Sequence, residues 1–214
     1  MAEEKKPKRI TKKMQLDEAA IQRPGPENYR CQQCPRPCQP VRPPVNATGR
    51  IMVVYGTPEM LGQREDGFAN GDGGRLLKHH VLKPLKLRPE DIVFTGVVRC
   101  GDGPVVKKEK PVKAASIDMC SAFLRQEVAK LTPRLIVACG SDAARSLGFK
   151  FQENVGTVQW YEVAVEEKVP VAITYSPEHG LTDGCFGVYE VMCRHIRRAL
   201  SPEPWREFPE MEVV

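Results

Sequence analysis

A chain of 214 residues, 41% hydrophobic and 28% charged, carries enough apolar side chain for one globular domain with a buried core. No run of eighteen apolar residues occurs and the first residues, Met1-Ala-Glu-Glu-Lys-Lys, have no apolar stretch, so neither a membrane span nor a secretory signal is expected. The expectation is an intracellular, cytoplasmic monomer, in which eight cysteines suit metal ligation and buried thiols better than disulfides.

In chain order, residues 1–28 combine charge, proline and the basic run Lys5, Lys6, Lys8, Arg9, Lys12 and Lys13, which reads as a solvated tail. The domain is expected over residues 29–200. It opens on Tyr29-Arg-Cys-Gln-Gln-Cys-Pro-Arg-Pro-Cys38, where Cys31 and Cys34 stand at the CxxC spacing that brings two sulfurs to one metal. Thiolate coordination asks for four ligands, so two more must come from elsewhere, with Cys38 one candidate.

Ile51-Met-Val-Val-Tyr55 is a continuous apolar run ended by Gly56, as in a buried parallel strand. The glycine-rich stretch 56–74 that follows is the kind of loop that carries function. Leu76, Leu77, Val81, Leu82 and Leu85 recur at helical spacing until Pro84 interrupts them. Ile92 to Val98 reads as a second strand with Cys100 just beyond its end. The loop from Gly101 to Lys113 holds Lys107, Lys108, Lys110 and Lys113, candidate phosphate contacts.

A helix follows with Ile117, Cys120, Phe123, Leu124, Val128 and Leu131 on its apolar face. Thr132 to Arg145 reads as strand, glycine turn and short helix, with Ser141 as N-cap. Val169 to Tyr175 is a further strand, leading into Ser176-Pro-Glu-His-Gly180. A helix from about Phe186 to Leu200 closes the domain, and residues 201–214 read as an acidic tail. Alternating strands and helices predict an α/β domain, three layers α/β/α around a parallel sheet of about four strands. Ligands of such sheets bind beyond the carboxyl ends of the strands, so the loops after Tyr55, Val98, Cys139 and Tyr175 should meet at one cleft.

This ordered series resembles the uracil-DNA glycosylase superfamily, and within it the iron–sulfur branch called family 4, over about residues 30 to 180. Members show a CxxC, a strand leading to GEAPG, a loop ending PFVGxAGxLL, a strand ending TNxVKC, a cysteine early in a helix, PxxIVxLGxxAA, and a strand leading to HP. The counterparts here are Ile51-Met-Val-Val-Tyr-Gly-Thr-Pro-Glu59, Phe68-Ala-Asn-Gly-Asp-Gly-Gly-Arg-Leu-Leu77, Phe94-Thr-Gly-Val-Val-Arg-Cys100, Cys120, Pro133 to Arg145, and Tyr175-Ser-Pro177. The resemblance implies a 4Fe-4S cluster on Cys31, Cys34, Cys100 and Cys120. Sulfur donors alone suit zinc as well, and Cys38 remains an alternative ligand. Cys139, Cys185 and Cys193 lie on apolar stretches and read as buried thiols.

The resemblance places the base pocket at Gly56, Thr57, Pro58, Phe68, Ala69, Asn70, Gly96, Ser176 and Pro177. Four of these depart from the family: its acidic residue falls at Gly56, its stacking phenylalanine at Ala69, its asparagine at Gly96 and its histidine at Ser176. A glycosylase must extrude a base, read its edge and stabilise charge as the N-glycosidic bond breaks, so each loss matters. Glu59, Asp66, Ser176 and His179 are the candidate catalytic groups, and Phe68 a substitute stacking ring. Two functions follow as expectations: a DNA-binding hydrolase that excises uracil or a modified pyrimidine, or an inactive DNA-binding adaptor of replication, repair or DNA-modification machinery. A zinc-stapled module unrelated to DNA is a third.

Overall fold

The strands form where the chain offers uninterrupted β-branched and aromatic runs bounded by glycine. The computed structural model describes residues 29–34, 49–56, 72–100, 114–164, 167–182 and 187–201. The two expected tails, Cys38, Cys185 and the lysine loop lie outside the described residues, as does most of the glycine-rich loop. β1 (Ile51–Tyr55), β2 (Ile92–Gly96) and β3 (Leu135–Cys139) are buried along their whole lengths. Each is a strand with helices on both faces, which is why its sequence shows no polar alternation.

The sheet has five strands in the order β2-β1-β3-β5-β4, where β4 is Val158–Ala164 and β5 is Glu167–Thr174. β2, β1, β3 and β5 are parallel, the expected four. β4 was not expected: it pairs antiparallel with β5 at the edge of the sheet. Its residues are mostly half-buried, with Trp160 exposed, so Val-Gln-Trp-Tyr-Glu-Val-Ala lacks the dense apolar run that marks the other strands.

Side chains alternate between two cores. Ile51, Val53, Tyr55, Phe94, Val137 and Cys139 face one side, packed against Leu77, Val81 and Leu82 and against Val188, Tyr189, Met192, Cys193 and Ile196. Met52, Val54, Val93, Ile136, Ala138, Val171 and Ile173 face the other, against Ile117, Leu124, Val128, Ala143, Ala144 and Leu147. The helices supplying those residues are α2 (Asp72–Leu76) with the π-helical turn Leu77–Leu82, and α7 (Gly187–Leu200), on the first side. On the second are α3 (Ala114–Leu131) and α4 (Ser141–Ser146). Short helical turns complete the described elements: α1 (Tyr29–Gln32), α5 (Phe151–Asn154), α6 (His179–Thr182) and a 3-10 turn at Pro89–Asp91.

Local chemistry sets several boundaries. The π-helical turn ends one residue before the lysine that precedes Pro84, and the Lys83 N–H reaches back to the Lys78 carbonyl at 3.0 Å. β2 stops at Gly96 rather than Val98, because the Val97 N–H turns to the carbonyls of Tyr55 (3.0 Å) and Gly56 (2.8 Å). Gly140, at φ +89°, is the residue that caps α4, whereas Ser141 is already helical. Only glycine adopts that φ without strain, so the turn is a glycine turn before it is a serine cap.

Candidate functional site

The register of the sheet brings the expected loops level. Tyr55 pairs with Gly96 on one side and Cys139 on the other, and Cys139 pairs with Thr174, so four parallel strands end in one row. The chains leaving that row are laced together: the Gly140 N–H donates to the Thr174 carbonyl at 2.8 Å. A side chain at Gly140 would also touch Ser176 at 3.3 Å. Gly56, Gly96, Ser176 and Pro177 therefore share one rim, whereas Thr57, Pro58, Glu59, Asp66, Phe68, Ala69 and Asn70 lie outside the described residues.

The central polar group on this rim is Glu178, a residue the sequence reading passed over. The Ser176 hydroxyl donates a short hydrogen bond to Glu178 Oε2. Burial raises the Glu178 carboxyl to about 7, opposed by a bond from its own backbone N–H. A carboxyl poised there exchanges protons at neutral pH, which an exposed loop glutamate does not. The sequence signal was its place, two residues after Ser176, where the resemblance put the family's histidine.

Two tyrosines and a glycine enclose the carboxyl. A methyl group on Gly73, in the first turn of α2, would overlap Glu178 Oε1 and lie 2.5 Å from the Tyr55 hydroxyl, so both oxygens converge on the space that glycine leaves. Tyr189 donates to the Pro177 carbonyl at 3.1 Å and stacks on His80, centroids 4.8 Å apart. Burial and then the Glu178 charge raise the Tyr189 phenol. Gly180 lies beneath the Tyr189 ring, and a methyl group on it would stand 2.7 Å from that ring. His179 faces outward, stacked on Tyr175 at 5.6 Å, and Tyr175 also meets Phe151 and His195.

The thiols gather at a second place, beyond β2. Cys31 and Cys120 share a buried cluster with Val98 and Phe123. The Cys34 N–H closes a turn on the Cys31 carbonyl at 3.2 Å, and its thiol approaches the Ser116 hydroxyl of α3 at 3.4 Å. Burial pushes the Cys120 thiol up to about 11; the Arg99 N–H and guanidinium pull it down, while Cys100 and Cys34 push it up. α1 and α3 thus place Cys31 beside Cys120, while Cys34 and Cys100 act on Cys120 through charge. Among the described residues, no three His, Cys, Asp or Glu side chains form a closed ligand group. The donor chemistry nevertheless fits a thiophilic metal or cluster: four sulfurs, three of them buried, beside a cation that offsets thiolate charge.

Arg99 itself is buried, 2% exposed, and donates to Glu127 at 2.5 Å, to the Gly96 carbonyl at 2.6 Å and to the Thr95 hydroxyl. Thr95 in turn donates to Glu127 at 2.8 Å. Burial disfavours both charges, and each is offset chiefly by the other. Arg99 thus links the Gly96 carbonyl at the end of β2 to Cys120, whose thiol its backbone N–H and guanidinium favour in the ionised form. Cys139 and Cys193 lie in the core, with Cys139 raised to about 12 by burial, as the reading of inert buried thiols requires.

The sequence was also compared with known proteins. No curated protein matches it at a significant level. The sequence model described as the uracil DNA glycosylase superfamily matches residues 45–183, well over half of the chain and every strand of the sheet. Among the described residues, no helix is long and apolar enough to cross a membrane. Fold, strand-end rim and family match agree, and the chain belongs to the uracil DNA glycosylase superfamily.

Proposed function

We propose that the chain is an active N-glycosyl hydrolase that removes uracil or a modified pyrimidine from DNA, with Glu178 as general base. The observation that carries this reading is the half-buried Glu178 carboxyl, bonded by the Ser176 hydroxyl at the row of strand ends, where burial raises it to about 7. The family's usual acidic position is Gly56, and Glu178 supplies a carboxylate to the same rim from the opposite loop. Ionised, it takes a proton from a water attacking C1′ as the C1′–N bond breaks. The Ser176 hydroxyl fixes the carboxylate's orientation. Glycines at 56 and 96 leave room for a bulkier base than uracil.

Cys31, Cys34, Cys100 and Cys120 are proposed to hold a 4Fe-4S cluster, of the family 4 kind, with zinc the alternative. Bound there, it would tie α1 to the start of the 101–113 loop and to α3, while the lysines of that loop contact phosphate. What supports this is the shared neighbourhood of the thiols and the buried Arg99 beside them.

The test incubates the purified protein with single- and double-stranded oligonucleotides containing uracil, 5-hydroxymethyluracil or other modified pyrimidines, then cleaves abasic sites with alkali. Base release by the wild type and its loss in Glu178→Gln support the reading. Salt-dependent DNA binding with no base release on any substrate would assign the chain to the adaptor role instead.

A further inference from the structure

A guanidinium sealed in a protein core is costly unless its donors are matched, and at Arg99 the match is incomplete. Both terminal nitrogens are engaged, Nη2 with Glu127 and Nη1 with the Gly96 carbonyl and the Thr95 hydroxyl. Nε is sealed from solvent too, yet it has no hydrogen-bond partner among the described residues. A buried donor left unmatched keeps its full desolvation cost, so this N–H calls for an acceptor beyond those side chains.

The course of the side chain puts that acceptor on the thiol side. The Arg99 main-chain N–H bonds the sulfur of Cys120, and the next residue along the chain is Cys100. Cys120 and Glu127 both belong to α3, two turns apart, hence on one face and separated by about 10 Å along the axis. Arg99 therefore starts beside Cys120 and ends at Glu127, and Nε is the guanidinium nitrogen nearest the start. A neutral thiol is a weak acceptor, whereas sulfur carrying negative charge, in a metal thiolate or a cluster sulfide, accepts a charge-assisted bond.

Resting on the reading of Cys31, Cys34, Cys100 and Cys120 as a metal centre, we propose that the Arg99 Nε–H donates to a sulfur of that centre and tunes its electronic state. Hydrogen bonds to sulfur favour the more negative form, so this one raises the reduction potential of an iron–sulfur cluster. Thr95, Gly96 and Glu127 hold the other end of the guanidinium, which fixes the donor in direction. Lysine is no substitute: it carries its charge toward Glu127 but has a methylene where arginine has Nε.

The experiment purifies wild type, Arg99→Lys, Thr95→Val and the double variant Arg99→Met/Glu127→Met without oxygen, and measures iron and zinc by elemental analysis. A cluster is titrated with dithionite, which gives it one electron and is itself oxidised to sulfite, and the reduced form is counted by electron paramagnetic resonance. Reduction should become at least about tenfold less favourable in both Arg99 variants, about 59 mV for one electron. Thr95→Val, which disturbs the same network but keeps Nε, should stay within about twofold of wild type. In a zinc-bound protein, cobalt(II) takes the place of zinc, and the thiolate-to-cobalt absorption should move to longer wavelength in both Arg99 variants and not in Thr95→Val. The double variant removes both buried charges, and so keeps the test open where Arg99→Lys does not fold. Metal lost from both folded Arg99 variants and kept by Thr95→Val supports the proposal as well. An unchanged potential or absorption in the Arg99 variants, an equal change in Thr95→Val, or unfolding of both Arg99 variants overturns it while the metal centre stands. A wild type holding neither iron nor zinc overturns the metal centre itself, and the donor with it.

Discussion

Replacing Glu178 by glutamine should make the protein more stable at alkaline pH and less active at every pH. The carboxyl is raised from 4.5 to about 7 on folding. At about 1.4 kcal/mol per pKa unit, keeping it ionised in the fold costs on the order of 3 kcal/mol. Because the folded-state value lies above the unfolded one, the folded protein holds a proton that the unfolded chain has released. Stability from this group is therefore complete below about 4.5, declines as pH rises to about 7, and stays lost above it. Glutamine never ionises, so Glu178→Gln should match wild type near pH 4.5 and exceed it by up to about 3 kcal/mol at pH 8. Its amide oxygen still accepts from Ser176, which keeps the rim in place. Urea unfolding of both proteins at the two pH values measures the difference. Parallel pH profiles for wild type and variant would refute the claim that burial raises this carboxyl.

Other changes probe the neighbouring groups. Glu127→Ala leaves the Arg99 guanidinium buried without its counter-charge and should cost about 3–5 kcal/mol in urea unfolding, far more than an exposed ion pair would. Gly73→Ala pushes a methyl group onto Glu178 Oε1 and the Tyr55 hydroxyl, so base release should fall at least tenfold while the circular dichroism spectrum persists. Gly180→Ala meets the Tyr189 ring at 2.7 Å and should destabilise the fold by about 1–3 kcal/mol. Cys100→Ala and Cys120→Ala should lower bound iron or zinc, measured by elemental analysis, whereas Cys193→Ala should retain it.

The parallel core was legible because Ile51 to Tyr55, Phe94 and Leu135 to Cys139 are apolar without interruption, a pattern with few readings besides a covered strand. β4 was not, since an edge strand half-exposed on its length needs no such run, and its identity comes from pairing with β5. The rim was legible at Gly56, Gly96 and Ser176 through motif order. Glu178 escaped because a glutamate in a polar loop is ordinary. Its surroundings are set by Gly73, far from it in sequence, whose missing side chain lets the carboxyl pack against α2. For the thiols, residue type alone drew attention to Cys31, Cys34, Cys100 and Cys120, of which Cys31 and Cys120 share one buried cluster.

The most direct test is the pH dependence of kcat/KM for base release from a uracil-containing oligonucleotide. With Glu178 as general base, activity should rise tenfold per pH unit below about 7 and level off above it, and the rise should vanish with Glu178→Gln. Base release that is independent of pH across this range, or equal in wild type and Glu178→Gln, would contradict the assignment.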